Sequence, residues 1–178
     1  LRPHNAFLGT LTVFIGLFFS TTAIFLKEFL LAPIIYFLIA SAGNVINDYF
    51  DYEIDKINRP SRPIPRGDIS LTAAKFYAIA LWSIAFLLSF FLECYVAFIN
   101  IIPIIALSFI LIAFAYSWKL KKAGFIGNIT VAFSFAFGAI FGSIVATGSI
   151  STIPLNVILA FSTSFLLLLA RELVKGIE

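Results

Sequence analysis

Asn44, Asn47, Asp48, Asp51, Glu53 and Asp55 fall within twelve residues, and Lys56, Arg59, Arg62 and Arg66 follow directly. The chain has nine acidic residues, and four of them lie between positions 48 and 55. A helix turns about 100° per residue, so Asn47, Asp51 and Asp55 drift by only about 40° at each step and share one face. Two carboxylates about 6 Å apart repel by roughly 3 kcal/mol at an effective dielectric of about 20. Stacking them at the end of an apolar helix is costly unless a cation occupies that face. Oxygen ligands of this kind suit Mg²⁺, which keeps waters and shares its coordination with substrate phosphates. The arginines just downstream supply the complementary anion-binding groups. These residues predict a Mg²⁺–diphosphate site. Asn47, Asp51 and Asp55 are its metal-holding, catalytic set, with Asp48 either a further ligand or a partner behind the ligands.

The elements that must carry these residues are apolar. The chain is 61% hydrophobic and 12% charged, against roughly 25% charged in a soluble domain, and its mean hydropathy is +1.06. That composition predicts an all-α, polytopic membrane bundle. Apolar stretches at 6–26, 29–55, 71–92, 95–116, 125–147 and 153–175 predict about six spans of roughly 20 residues or more. Pro103 is expected to kink the fourth, and Gly138 and Gly142 mark close helix packing in the fifth. With the amino terminus inside, eleven of the twelve lysines and arginines fall on the inner face and only Lys27 falls outside. By the positive-inside rule this puts the acidic cluster, the arginines, Lys119, Lys121, Lys122, Arg171 and Lys175 on one cytoplasmic side.

Other chemistries find little support. The net charge of +3 is no nucleic-acid footprint, because the basic residues sit at helix ends. One cysteine, Cys94, excludes an internal disulfide and a paired-cysteine metal site. One histidine, His4, leaves no basis for a His-rich zinc centre or a Ser-His-Asp triad. Most of the 22 phenylalanines read as membrane core and lipid-facing surface. A few are expected to line an apolar tunnel near the acidic face, where ring faces favour a cationic intermediate.

Asn47-Asp48-x-x-Asp51-x-x-x-Asp55, followed by Arg59-Pro60-x-Arg62-Pro63-Ile64-Pro65-x-Gly67, resembles the first signature of the UbiA-type intramembrane prenyltransferases. The resemblance implies a Mg²⁺-dependent transfer of an isoprenyl group from its diphosphate. It implies diphosphate contacts from Arg59, Arg62 and Arg66, and from Tyr116 with one lysine of the following loop. The Leu-Lys context favours Lys121, with Lys119 the alternative; interfacial anchoring is an equal reading of any one of them. Gly127-Asn128 is similar to the family's entry to its fifth helix.

Arg171-Glu172-Leu173-Val174-Lys175-Gly176-Ile177-Glu178 resembles the approach to the second acidic signature, which holds a second Mg²⁺ in relatives. Gly176 stands where many relatives carry an acid, leaving Glu178 as the candidate ligand. The family has nine helices, so residues 1–178 are expected to form one transmembrane domain, incomplete on its carboxyl-terminal side. Within the family the chain looks most like the archaeal digeranylgeranylglyceryl phosphate synthases. That branch implies geranylgeranyl diphosphate as donor and geranylgeranylglyceryl phosphate, a lipid, as acceptor. An aromatic acceptor of the quinone, haem or chlorophyll branches is the alternative. From another class, intramembrane carboxylates also suit a cation transporter, although transporters place them near the midplane.

Overall fold

A computed structural model describes residues 3–20, 26–96 and 101–175. Among the described residues seven α-helices run in chain order: α1 (Pro3–Ser20), α2 (Leu26–Phe50), α3 (Tyr52–Asn58), α4 (Leu71–Val96), α5 (Ile101–Trp118), α6 (Phe125–Thr147) and α7 (Leu155–Lys175), with a 3₁₀ turn at Leu120–Lys122. Helices satisfy every backbone polar group within one segment, which lipid requires of a spanning element. Five have the length and hydropathy to cross a membrane: Leu26–Phe50, Leu71–Val96, Ile101–Trp118, Phe125–Thr147 and Leu155–Val174. α1 adds a shorter apolar helix, His4–Ser20. Large apolar side chains such as Phe18, Leu87, Leu111 and Leu167 lie exposed on the outer surface, as lipid contact demands. The chain is an integral, multi-pass membrane protein.

Several bounds differ from expectation, beginning with Leu26, which starts α2 instead of ending the first helix. The second helix breaks at Asp51 and resumes as the short α3. Tyr95 belongs to the end of α4, and α5 starts only at Ile101. Pro103 lies in the first turn of α5 as described, where its missing N–H costs no bond within Ile101–Trp118.

Helix pairing sets two poles. α1 and α6 run parallel, because Thr12 meets Gly138, Gly16 meets Ala139 and Ser20 meets Ser143 in ascending order on both. Their backbones touch closely. A Cβ on Gly16 would lie 1.9 Å from the Ala139 carbonyl oxygen, and one on Gly142 would lie 2.1 Å from that of Val13. The Gly138/Gly142 pair thus does what small residues do between membrane helices. α2 and α4 run antiparallel: Trp82 donates to the Ile39 carbonyl at 3.4 Å, and Lys27 at the start of α2 lies 3.7 Å from the centre of the Tyr95 ring at the end of α4. One pole carries Lys27, Glu93 and Tyr95. The other gathers the ends of α2 and α5 and the loops that follow them.

Candidate functional site

Asp51 sits at the α2–α3 junction with φ −84° and ψ 0°. This bridge conformation is sparsely populated and common at active sites. Backbone bonds still run through it, from Asp51 N to Asn47 O at 3.0 Å and from Asp55 N to Asp51 O at 2.8 Å. The acids therefore keep near-helical spacing, and the drift of about 40° per four residues adds up to about 80° between Asn47 and Asp55. Seven residues bring a helix back to within about 20°, so Asp55 aligns with Asp48.

The structure accordingly divides the expected row into two adjoining groups. In the first, Asn47 Nδ2 donates to Asp51 Oδ2 at 3.1 Å, and Lys121 Nζ donates to the same carboxylate oxygen. In the second, Arg62 Nη1 donates to Asp48 Oδ1 at 3.2 Å and also to Asp55 Oδ2. The acids and Arg62 are largely withdrawn from water, with side-chain exposure of 15% for Asp51, 14% for Asp48, 7% for Asp55 and 16% for Arg62, while Lys121 at 37% reaches the surface.

Two local devices deliver the cations. Ile64 plugs the 59–70 loop into a cluster with Val45, Ile46, Ala74 and Ala78 beneath it. Gly67, at φ 88°, turns the chain so that Asp68 N bonds to Pro63 O at 3.0 Å; this positive φ favours glycine. Ser70 then caps α4, its Oγ accepting from Ala73 N at 3.1 Å. Lys121 is delivered by the 3₁₀ turn, which presses on the first turn of α6 at Gly127. A Cβ there would lie 2.7 Å from the Leu120 carbonyl oxygen. The pattern Gly127-Asn128 carried this signal, but its purpose, close approach of the turn, shows only in the packing.

The other expected cations stand apart. Lys119 Nζ lies 4.3 Å from the centre of the Trp118 ring. Arg59 is exposed, and Arg66 pairs with Asp68, also exposed. Hydrogen bonding to Asp68 first, and its charge second, raise the Arg66 guanidinium above its already high range, so it stays charged. Glu178 lies outside the described residues.

Tyr116, Asn47 and Ser117 line a cavity of about 310 Å³ that runs between α2, α5 and α6. Its polar end also holds Asn44, Arg171 and Glu172, which the sequence placed on the site's face without a role in it, and Asn5, which it did not single out. Its apolar body is formed by Ile35, Ala106, Phe109, Phe137 and Phe141 among others. At 1.5 Å per residue, the ten residues from Ala106 to Tyr116 give the cavity a length of about 15 Å along α5. An amphiphile with an anionic head matches that shape.

The first group fits a hard divalent cation. Asn47 Oδ1 is buried without a hydrogen-bond partner, on the amide whose Nδ2 donates to the Asp51 carboxylate, and an orphaned buried acceptor calls for a donor or a cation. Among the described residues no three His, Cys, Asp or Glu side chains form a ready cage. Two oxygens that leave room for water and phosphate are what Mg²⁺ accepts.

The chain is similar to known proteins along nearly its whole length. Residues 9–178 match the UbiA prenyltransferase family. A digeranylgeranylglyceryl phosphate synthase of Methanothermobacter thermautotrophicus is 41% identical over 179 residues, covering 100% of this chain and 59% of the relative. That of Thermococcus kodakarensis is 38% identical over 178 residues, covering 99% and 60%. The chain thus spans about three fifths of the length of these curated relatives. A solved structure concerning digeranylgeranylglyceryl phosphate synthase in membranes superposes with a TM-score of 0.81 at 33% identity, over 98% of this chain and 59% of that one. The apo structure of a UbiA homologue from Aeropyrum pernix K1 shares the fold at a TM-score of 0.77 and 19% identity, over 95% and 62%. With the family match extending over residues 9–178, nearly the whole chain, the chain belongs to the UbiA prenyltransferase family.

Proposed function

We propose that the protein of which this chain is part transfers an isoprenyl group, geranylgeranyl, from its diphosphate to geranylgeranylglyceryl phosphate at the cytoplasmic face of an archaeal membrane. The observation that carries this reading is the convergence of Asn47, Asp51 and Lys121 beside the polar mouth of an apolar cavity. The names of the relatives from two archaea support the choice of donor and acceptor.

In this reading Asn47 Oδ1 and the Asp51 carboxylate hold Mg²⁺, with Asp48 and Asp55 adding negative charge just behind. When bound, Mg²⁺ acts as a Lewis acid on the departing diphosphate. Lys121 and Tyr116 orient the diphosphate at the cavity mouth. Arg59 and Arg66, exposed on the 59–70 loop, offer further cations to it. Negative charge grows on the leaving group as the C–O bond breaks, so preorganised cations stabilise the transition state more than the substrate. The apolar walls hold the isoprenoid chain, exclude water from the allylic cation, and present the rings of Phe109, Phe137 and Phe141. Residues 1–178 are read as one transmembrane domain. A cation-transport role is less well served, because the acids sit at a helix end beside basic loops rather than at the midplane.

The test is to incubate full-length protein in detergent with Mg²⁺, labelled geranylgeranyl diphosphate and either geranylgeranylglyceryl phosphate or 4-hydroxybenzoate. Transfer to the glyceryl phosphate is expected. Transfer to the benzoate alone would move the protein to an aromatic-acceptor branch. No transfer to either, together with no diphosphate binding, would overturn the enzymatic reading.

A further inference from the structure

In the mechanism above Asp48 and Asp55 only add negative charge behind the metal-holding pair and Arg62 has no part, yet the three form a closely enclosed set of charges near the site. Asp48 belongs to α2 and Asp55 to α3, so the Arg62 guanidinium spans the break at Asp51. Asp51 lies three residues after one of its partners and four before the other. With the ends of this segment tied to one cation, the bridge conformation of Asp51 is held from both sides, and its carboxylate is aimed at Asn47 and Lys121.

We propose that Arg62 is a positioning residue for Asp51, acting through Asp48 and Asp55 and not through the diphosphate; this rests on the reading of Asp51 as the metal-holding carboxylate.

Three observations converge. First, the charge pattern is two carboxylates to one guanidinium with all three side chains mostly buried. Removing the cation would take from two mostly buried carboxylates the charge they share, so their mutual repulsion would loosen the segment between them. Second, the other arginines of the same loop differ in kind. Arg59 is exposed and Arg66 is 61% exposed on Asp68, whereas Arg62 is 16% exposed and doubly engaged. An arginine meant to meet an incoming diphosphate gains little from two buried carboxylates already competing for it. Third, Ile64, two residues on, is buried against α2 and α4. The charged clamp and the apolar plug fasten the loop at neighbouring points.

The experiment uses full-length protein and two readouts. In steady-state kinetics, Arg62→Gln should lower kcat about tenfold or more while KM for the isoprenyl diphosphate stays within about threefold. Arg62→Lys should recover part of the loss. In the cycle with Asp55→Asn, the double variant should be no worse than the poorer single one, since both act through one unit. A KM raised about tenfold with kcat retained, or single effects that multiply, would overturn the proposal in favour of direct diphosphate contact. The second readout needs no turnover. In Ile64→Cys on a Cys94→Ser background, without Mg²⁺ or substrate, maleimide labelling should quicken about tenfold when Arg62→Gln is added, as opening of the loop becomes easier. Unchanged labelling would overturn the clamp even if kcat fell. Should Arg62→Gln fail to fold, Arg62→Lys in both assays decides, with labelling and kcat each expected between the extremes. Absence of transfer by the unsubstituted protein would instead sink the enzymatic reading and leave the labelling result standing.

Discussion

Lys121 donates a hydrogen bond to the Asp51 carboxylate across 70 residues of sequence. One partner ends a membrane helix and the other sits in a 3₁₀ turn, so the bond ties the α2–α3 junction to the α5–α6 connection. Two residues away, Lys119 leans on Trp118 instead. Substituting the two lysines separately should therefore give unequal results. Lys121→Ala is expected to lower kcat/KM for the isoprenyl diphosphate by about tenfold to a hundredfold, the loss of a charge-assisted contact in a partly enclosed site. Lys119→Ala should stay within about threefold, as for an exposed interfacial cation. Equal losses would mean that the loop, rather than one ammonium, supplies the charge.

Asn47 and Asp51 offer the sharpest test of the metal assignment. Asp51→Asn keeps size and hydrogen bonding but removes the charge, and Asn47→Ala removes the orphaned buried oxygen. A Lewis-acid contact is worth several kcal/mol, so Asp51→Asn should cost about a hundredfold or more in kcat. Raising Mg²⁺ should partly rescue Asn47→Ala, because a weakened site fills again by mass action. Circular dichroism and elution volume should match the unsubstituted protein. Near-normal turnover in Asp51→Asn would remove the metal from this carboxylate.

What could be read from the chain, and what could not, follows one physical line. Spanning helices were legible because lipid leaves the backbone no other partner, and the stretch Phe125–Thr147 matches the expected bounds residue for residue. The spacing of Asn47, Asp48, Asp51 and Asp55 was equally plain. Which acids meet which cations was not. Over eight residues a small angular drift moved Asp55 from the side of Asn47 to that of Asp48, and a local pattern does not say where a loop arginine will enter. The preference between Lys119 and Lys121 depended on how a turn packs on Gly127, a contact between segments. The cavity's polar mouth, assembled from Asn5, Asn44 and Arg171, draws on three helices, and no single local pattern says that the three meet.

The α1–α6 contact has no room for a methyl group. A Cβ on Gly142 would lie 2.1 Å from Val13 O and 3.0 Å from Leu17 N, both backbone atoms. Backbone cannot step aside as a side chain can, so Gly142→Ala must push the helices apart. Overpacking of this sort costs about 1–3 kcal/mol or more. At Gly43 the new Cβ would meet only the Ala113 methyl at 3.3 Å. Thermal unfolding in detergent should show a clear drop in midpoint for Gly142→Ala and a smaller one for Gly43→Ala. The reverse order would contradict the close parallel packing of α1 and α6.

At the opposite pole Glu93, 7% exposed, accepts from Ile102 N at 2.9 Å and so closes the open start of α5. Glu93→Gln retains a carbonyl acceptor at the same reach; Glu93→Ala leaves a buried N–H unpaired, at about 1–3 kcal/mol. The alanine variant should melt earlier than the glutamine variant, while both keep kcat per folded molecule. A large loss of kcat in a stable Glu93→Gln protein would give this carboxylate a part in turnover.

Ala106 lies buried beside the apolar body of the cavity, about 15 Å along α5 from Tyr116. Filling that end with a larger side chain shortens the space without touching Asn47, Asp51 or Lys121. Ala106→Leu, or Ala106→Phe if leucine leaves room, is therefore expected to discriminate by chain length. Transfer from geranylgeranyl diphosphate should fall about tenfold or more in kcat/KM, since a side chain that blocks bound methylenes forfeits about 1–3 kcal/mol. Transfer from farnesyl or geranyl diphosphate, whose tails stop short of the obstruction, should change by less than about threefold. A uniform loss across all donors would say that the substitution disturbs the head-group end instead. No loss for the long donor would place the isoprenoid tail outside this cavity, on the lipid-facing side of α5.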